Sequence, residues 1–445
     1  MSLYRKAFYA EEFESLVGDR QFVQYMLRVE AALAKSQAKY KIIPDTAAQI
    51  IADCCQIQFI DLEKLISEVH LGGNAAIPLV LQLTRIIKNN HFDSSKYIHL
   101  GATSQDIIDT ATILQIKDCY LWFEQKLNRL QEVLIKLTNQ HRNTPMIGRT
   151  LLQHARPITF GLKSSTWLQS IVHTQERMRD CKHRVLKIQL FGAVGSGNEY
   201  LPKEVVEDMS SSLEIAHDFP WHSIRDNIAE WASTLGILNG SLGKIAKDIS
   251  LLMQTEVGEV SEGSAEGKGG SSAMPHKRNP VTCALIIANS TRTPHLVASI
   301  LSSMTQEHER SAGLWQAEWE VLTQLMSLTA GSLFHTIDLI ENLEVHEEKM
   351  TFNLEMTKGL IYAEQVSNAL TTTLGKMQAN ELVQKACKLA FKKNKSLKEV
   401  LIEFHPDLFS GAILDELFNP VNSLGNSLDL IDLMLARHDQ HENKL

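Results

Sequence analysis

Along much of the chain apolar residues return at intervals of three and four, the period of a helix that buries one face. Ile107, Ala111 and Leu114 lead on to Leu121, and Leu127, Leu130 and Leu134 continue the series. Leu235 to Val260 and Val281 to Met304 are dominated by apolar and small residues, which predicts helices buried on several faces. Trp319 to Leu343 repeats the pattern, and the segment YMLRVEAALAKSQAKY (25–40) is amphipathic. Proline placement agrees, since none occurs between Pro78 and Pro145 or between Pro294 and Pro406. A proline costs about 3 kcal/mol inside a helix, so such gaps permit very long ones. Alternation of period two is scarce, and the expected class is all-α.

The periodic segments are short over residues 1–100, long over 101–350 and short again over 351–445. This predicts three helical domains: an N-terminal one, a central bundle of long helices, and a C-terminal one. Long helices with apolar surface on several faces need partners, which predicts a homo-oligomer built on a shared helical core.

Composition narrows the function more than the fold. The 445 residues carry a net charge of −8, so there is no overall basic field for nucleic acid or an anionic membrane. Met1 to Lys6 run straight into polar, acidic sequence, and no apolar run approaches the roughly eighteen residues of a membrane span. A cytoplasmic protein is the expectation. The six cysteines (54, 55, 119, 181, 283 and 387) are scattered without CxxC spacing and read as reduced thiols. Seventeen histidines include no HExxH and no zinc-type pairing, so no metal is expected. GSAEGKGG (263–270) lacks the length and the hydroxyl residue of a P-loop, and GAVGSG (192–197) has its glycines in the wrong order for a dinucleotide site. Neither reads as a nucleotide site.

Four polar interruptions of this apolar helical pattern carry the candidate chemistry. GGSSAMPHKRNP (269–280) joins glycines, small hydroxyls and the cations Lys277 and Arg278, and Pro280 opens the next helix. Five glycines lie from Gly258 to Gly270, ahead of the Ser271-Ser272 pair, so the segment reads as a movable flap beside an anion-binding point rather than a plain linker. HLGATSQDIIDT (99–110) sets His99, Thr103, Ser104 and Gln105 ahead of a long helix, where N–H groups and hydroxyls favour an anion, and Asp106 suits a helix start. GRTLLQHARPITFG (148–161) gathers Arg149, Gln153, His154 and Arg156, and HERSAGLWQAEW (308–319) adds Glu309, Arg310, Trp315 and Glu318. Each alone is an ordinary helix end. Together they suggest ends that converge on a polyanionic substrate.

GSSAMPHKRNP resembles the signature of the fumarase/aspartase superfamily, and HLGATSQD, GRTLLQHARPITFG and LMQTEVGEV resemble its other shared blocks. The resemblance runs nearly the whole chain, from RVEAALAKSQAKYKIIP to NLEMTKGLIYAEQV. It implies three helical domains, a homotetramer with a central bundle, and active sites that draw on different subunits. HERSAGLWQAEW and the segment from Pro220 to Val260 resemble the bacterial 3-carboxy-cis,cis-muconate cycloisomerases. That branch closes a tricarboxylate diene to a carboxymuconolactone in protocatechuate (β-ketoadipate) catabolism without a cofactor.

The resemblance implies that Ser271 moves the proton on carbon, while Lys277, Asn279 and loop N–H groups stabilise the charged intermediate. His99, Thr103, Ser104, Gln153 and Arg310 are implied holders of the remaining carboxylates. Many relatives place a general-acid histidine after Gly-[Arg/Tyr]-Thr; here that position is Leu151, with His154 three residues on. A carboxylate leaving group of pKa about 4 needs no such acid, which suits ring closure and opening. His154 is then either a substrate ligand or a proton shuttle. Ile224 stands where relatives often carry Gln, and Asn380 where they often carry His. The rival readings are an adenylosuccinate-lyase type of elimination and a non-catalytic scaffold; the scaffold predicts decay of Ser271, Lys277 and Asn279, all of which are present.

Overall fold

The computed structural model describes residues 3–263, 269, 270, 274, 277–409 and 411–442, with side chains described as far as residue 439. Five long helices dominate it: Ser104–Gln140, Phe160–Val185, Asp226–Leu252, Val281–Ser302 and Leu314–Glu341. Four of them overlap the apolar stretches picked out in the sequence, whereas Phe160–Val185, polar on balance, lies outside them. Pro294 lies inside the Val281–Ser302 helix, where it removes one backbone hydrogen bond.

Two spans differ from their sequence patterns. The helix expected as far as Val260 ends at Leu252, because Gly258 takes a left-handed φ of 57° and Val260 pairs as a strand with Val345. Leu121, counted in the apolar series, is 51% exposed, whereas Ile107, Ala111, Leu114, Leu127, Leu130 and Leu134 are fully buried. The apolar stripe is thus real, and Leu121 points off it.

The chain divides into two compact units. One comprises Met1–Leu127, Thr174–Gly243 and Leu285–Phe334. Its core includes an aromatic cluster in which Phe13 meets Trp122 edge-on at 4.9 Å and Phe123 meets Trp231 at 6.1 Å. Edge-to-face pairs of this kind contribute about 1 kcal/mol beyond the area they bury. The N-terminal segment is tied to the same unit at Gly331, where a Cβ would lie 1.9 Å from the Phe8 carbonyl oxygen. Only glycine allows that approach, and Asn289 Nδ2 donates to the same carbonyl at 2.9 Å.

The other unit comprises Asn128–His173, Lys244–Ala284 and His335–Leu445. Its C-terminal helices, among them Ala363–Leu374, Lys376–Lys393 and Leu397–Phe404, close on Val366, Leu370, Val383, Val400 and Leu401. Ser396 and Glu399 form a reciprocal capping box at the start of the last of these. Among the described residues, two small antiparallel sheets interrupt the helical pattern in this unit: Pro145–Thr150 with Gln153–Thr159, and Val260–Ser261 with Glu344–Val345. Both lie beside motifs singled out in the sequence. No helix of the described chain is long and apolar enough to cross a membrane.

Candidate active site

The first group of candidates gathers at the start of the Ser104–Gln140 helix. His99 and Gly101 have left-handed φ angles of 56° and 78°, which fold HLGATS into a tight bend. A Cβ on Gly101 would come within 2.7 Å of both Asn198 and Tyr200, so the bend needs glycine for space as well as for conformation. Thr103 precedes the helix, and Asp106 reaches back to accept its N–H at 3.0 Å. Asp106 also accepts from the N–H groups of Phe191 and Gly192 and from His222 Nε2 at 2.9–3.0 Å, all within this unit. The expected helix-start residue is therefore a buried anchor with every acceptor direction used.

That anchor fixes the groups ahead of it. Arg310 donates from Nη1 to Thr103 Oγ1 at 2.7 Å and from Nε to Gln105 Oε1 at 3.2 Å. Its Nη2 makes no hydrogen bond among the described residues, and the hydroxyl of half-buried Ser104 makes none either. An Arg edge, a free hydroxyl and a helix N-terminus together fit a carboxylate. His99 Nδ1 lies 2.7 Å from the fully buried Glu30 carboxylate. Burial opposes charge on this imidazole, but Glu30 outweighs it and raises the pKa above the ordinary value.

Behind these groups lies a layer that the sequence did not single out as a unit. The Arg225 guanidinium is flanked by the carboxylates of Asp109 and Glu318, and all three side chains are at most 4% exposed. Arg225 Nη1 donates to Asp109 Oδ2 at 2.7 Å and Nη2 to Glu318 Oε2 at 2.6 Å. Trp315 Nε1 donates to Asp109 Oδ1 at 3.0 Å, and Trp319 packs edge-on against Trp315 at 5.0 Å. Burial pushes the Glu318 carboxyl above its usual range; Arg225 pulls it back, and the like charge of Asp109 pushes it up again.

The second group belongs to the other unit. GRTLLQHARPIT forms a hairpin whose two-residue turn is Leu151–Leu152, with φ angles of 49° and 65°. Positive φ at both positions is the demand of a type I′ turn, ordinarily met by Asn-Gly. Leu costs about 1 kcal/mol or more at each position, and the two side chains are 96% and 76% exposed. Gln153 is exposed just past the turn, and half-buried His154 faces Arg149 across the strands. Burial lowers the His154 pKa and the positive charge of Arg149 lowers it further, so the imidazole is neutral near pH 7.

The hairpin is held by Arg149, which donates from Nη1 and Nη2 to both oxygens of the fully buried Glu259 at 2.8 and 2.7 Å. Asn353 Nδ2 adds a third bond to Glu259 at 2.8 Å. Arg149→Met would strand that carboxylate with Asn353 alone. The expected loss is about 3–5 kcal/mol in a denaturant titration. A loss under about 1 kcal/mol would show that Glu259 finds water or another partner.

The signature loop begins and ends in the same unit. Glu262, which leads into it, accepts the N–H groups of Thr282 and Cys283 at 3.1 and 2.8 Å and so caps the helix that follows it. Asn279 N–H donates to the Gly269 carbonyl at 3.0 Å, and Glu344 Oε2 accepts from Ser261 at 2.9 Å and Arg278 at 3.3 Å. Lys277 is exposed and its ammonium makes no hydrogen bond among the described residues; Asn279 is half-buried. Ser271 lies outside the described residues, as does His276.

Thr103, Ser104 and Arg310 are therefore brought together, with His99 four residues before Thr103 on the same bend. Gln153, His154, Lys277 and Asn279 belong to the other unit, the first two on one hairpin and the last two at one loop end. The residues missed by sequence reasoning are Asp109 and Glu259, which look like ordinary helix and turn acids until their arginine partners are seen.

A lyase family model matches residues 5–294, and a model for the C-terminus of adenylosuccinate lyase matches residues 359–433. The chain is 43% identical over 440 residues to the 3-carboxy-cis,cis-muconate cycloisomerase of Acinetobacter baylyi, covering 97% of this chain and 98% of that protein. It is 42% identical to the enzyme of the same name from Pseudomonas aeruginosa, covering 98% and 96%. Among solved structures it matches the 3-carboxy-cis,cis-muconate lactonizing enzyme from Pseudomonas putida with a TM-score of 0.94 at 39% identity, covering 98% and 99%. Hence the all-α architecture is that of the fumarase/aspartase fold. The chain belongs to the lyase family of the fumarase/aspartase superfamily, alongside the 3-carboxy-cis,cis-muconate cycloisomerases.

Proposed function

We propose that this protein is a 3-carboxy-cis,cis-muconate cycloisomerase, an intramolecular lyase that closes its tricarboxylate substrate to 4-carboxymuconolactone in the breakdown of protocatechuate. The observation that carries the reading is identity above 40%, over nearly the whole chain, to enzymes of that name from two bacterial genera. The chemistry of the two residue groups supports it.

In the reaction a substrate carboxylate oxygen adds to a double bond, and the carbon α to another carboxylate gains a proton. Addition places extra charge on that second carboxylate, giving an aci-carboxylate dianion, so the rate depends on stabilising charge that grows in the transition state. Lys277 supplies a cation without a partner of its own among the described residues, and Asn279 a neutral donor. Ser271 delivers the proton to carbon. Arg310, through its free Nη2 edge, with Ser104, Thr103 and His99, binds a carboxylate that does not react. Neutral His154 and Gln153 supply hydrogen bonds to another. Leu151, where relatives carry an acid, offers no proton, and none is needed for a carboxylate that leaves as an anion.

The same reading takes the protein as a cytoplasmic homotetramer of three helical domains (1–100, 101–350 and 351–445), each active site shared between subunits. It needs no cofactor. Family membership supports this assembly, as does the exposure of Leu151 and Leu152 on a strained turn. Purified protein should consume 3-carboxy-cis,cis-muconate, seen as loss of its diene absorbance in the ultraviolet, and leave adenylosuccinate untouched. Consumption of adenylosuccinate alone would replace this reading with the purine-nucleotide lyase.

A further inference from the structure

Arg310 is held by Thr103 and Gln105, and neither could orient it alone. Gln105 Nε2 donates to Asp109 Oδ2 at 3.1 Å and to the His222 carbonyl at 2.9 Å. Both of its amide hydrogens are thereby committed to acceptors, so its Oε1 must face Arg310. The direction of the Gln105 amide is thus set by the Asp109 carboxylate, and Asp109 is set by Arg225.

The segment that carries Arg310 depends on the same centre. It joins the Val281–Ser302 and Leu314–Glu341 helices, and His308 within it has a left-handed φ of 50°. Gln306 Nε2 ties it to Glu318 Oε1 at 3.2 Å, and Trp315, at the start of the next helix, ties to Asp109. Arg225 therefore links three elements: the Gln105 amide through Asp109, the loop through Glu318, and the helix after the loop through Asp109 and Trp315. All of these contacts lie in one compact unit.

We propose that the buried Asp109–Arg225–Glu318 triad is the positioning device of the carboxylate site, aiming the free edge of Arg310 through Gln105 on one side and through the Gln306 loop on the other. The triad does not touch substrate. A misaimed Arg310 loses a charge-assisted bond to a carboxylate that is present before and during ring closure. Such a loss is uniform between ground and transition states, so KM rises while kcat holds. This proposal rests on the carboxylate-binding role of Arg310 in the function proposed above.

The experiment is a double-mutant cycle of Glu318→Gln with Arg310→Ala, read in KM and kcat with 3-carboxy-cis,cis-muconate and in calorimetric binding of the unreactive tricarballylate. Glu318→Gln alone is expected to raise KM and the tricarballylate Kd about tenfold, with kcat within about twofold. In the Arg310→Ala background the same change should alter Kd by less than about twofold, because the aimed group is already gone. Gln306→Leu, on the partly exposed loop, removes the loop's bond to Glu318 while leaving all three triad residues in place, and should raise KM about threefold under the same rule. Equal effects of Glu318→Gln with and without Arg310, or an unchanged KM in a folded Glu318→Gln or Gln306→Leu protein, would overturn the proposal. Wild-type protein inert toward the muconate would sink the functional reading instead, and the tricarballylate arm would still decide the positioning role.

Discussion

Replacing Ser271 with alanine should lower kcat by about three orders of magnitude and leave KM within about threefold. A serine hydroxyl is a weak acid and a weaker base, so it moves a proton between oxygen and carbon only if its alkoxide is stabilised. The glycines that precede it can present N–H groups, and Lys277 stands six residues on with no partner among the described residues. Alanine removes the hydroxyl proposed to carry the proton and keeps a small side chain in a glycine-rich segment. Assembly should be unchanged by size exclusion, which separates loss of chemistry from loss of structure. Wild-type turnover in Ser271→Ala would remove this residue from the mechanism and return the proton to another group, His154 first.

Lys277→Met should cost both parameters: kcat falls about 10²- to 10³-fold and KM rises. The reason is charge. Substrate arrives as a trianion and gains charge on one carboxylate as the new C–O bond forms, so a cation there binds the ground state and binds the transition state more strongly. Methionine keeps the length and apolar stem of the side chain and deletes only the ammonium. Lys277 is exposed and free of ion pairs among the described residues, so folding should be indifferent to the change. An unchanged kcat would contradict the electrostatic role and shift the stabilising duty to Asn279 and the backbone.

The long helices are legible in the amino-acid sequence, from apolar spacing and missing prolines. Thr103, Ser104 and Arg310 are legible too, as hydroxyls and a cation in polar breaks. The hairpin is not, because its turn is Leu151–Leu152 rather than Asn-Gly, and its strands read as loop. Pro145 and Pro157, which bar a helix there, are the available signal. Nor can spacing reveal the Asp109–Arg225–Glu318 centre, whose members lie 116 and 93 residues apart. Burial and pairing of that kind exist only in three dimensions. Asp106 is half legible: its place near a helix start is expected, while its four buried bonds come from elements 85 or more residues away as well as from Thr103.

The central claim is ring closure by internal addition, and the product formed in D₂O tests it most directly. Incubation with 3-carboxy-cis,cis-muconate should give a lactone that retains every atom of the substrate. It should carry a single deuterium on the carbon α to a carboxylate, seen by mass spectrometry and proton NMR. Release of fumarate from any succinyl-bearing substrate, with the muconate returned unchanged, would contradict the account.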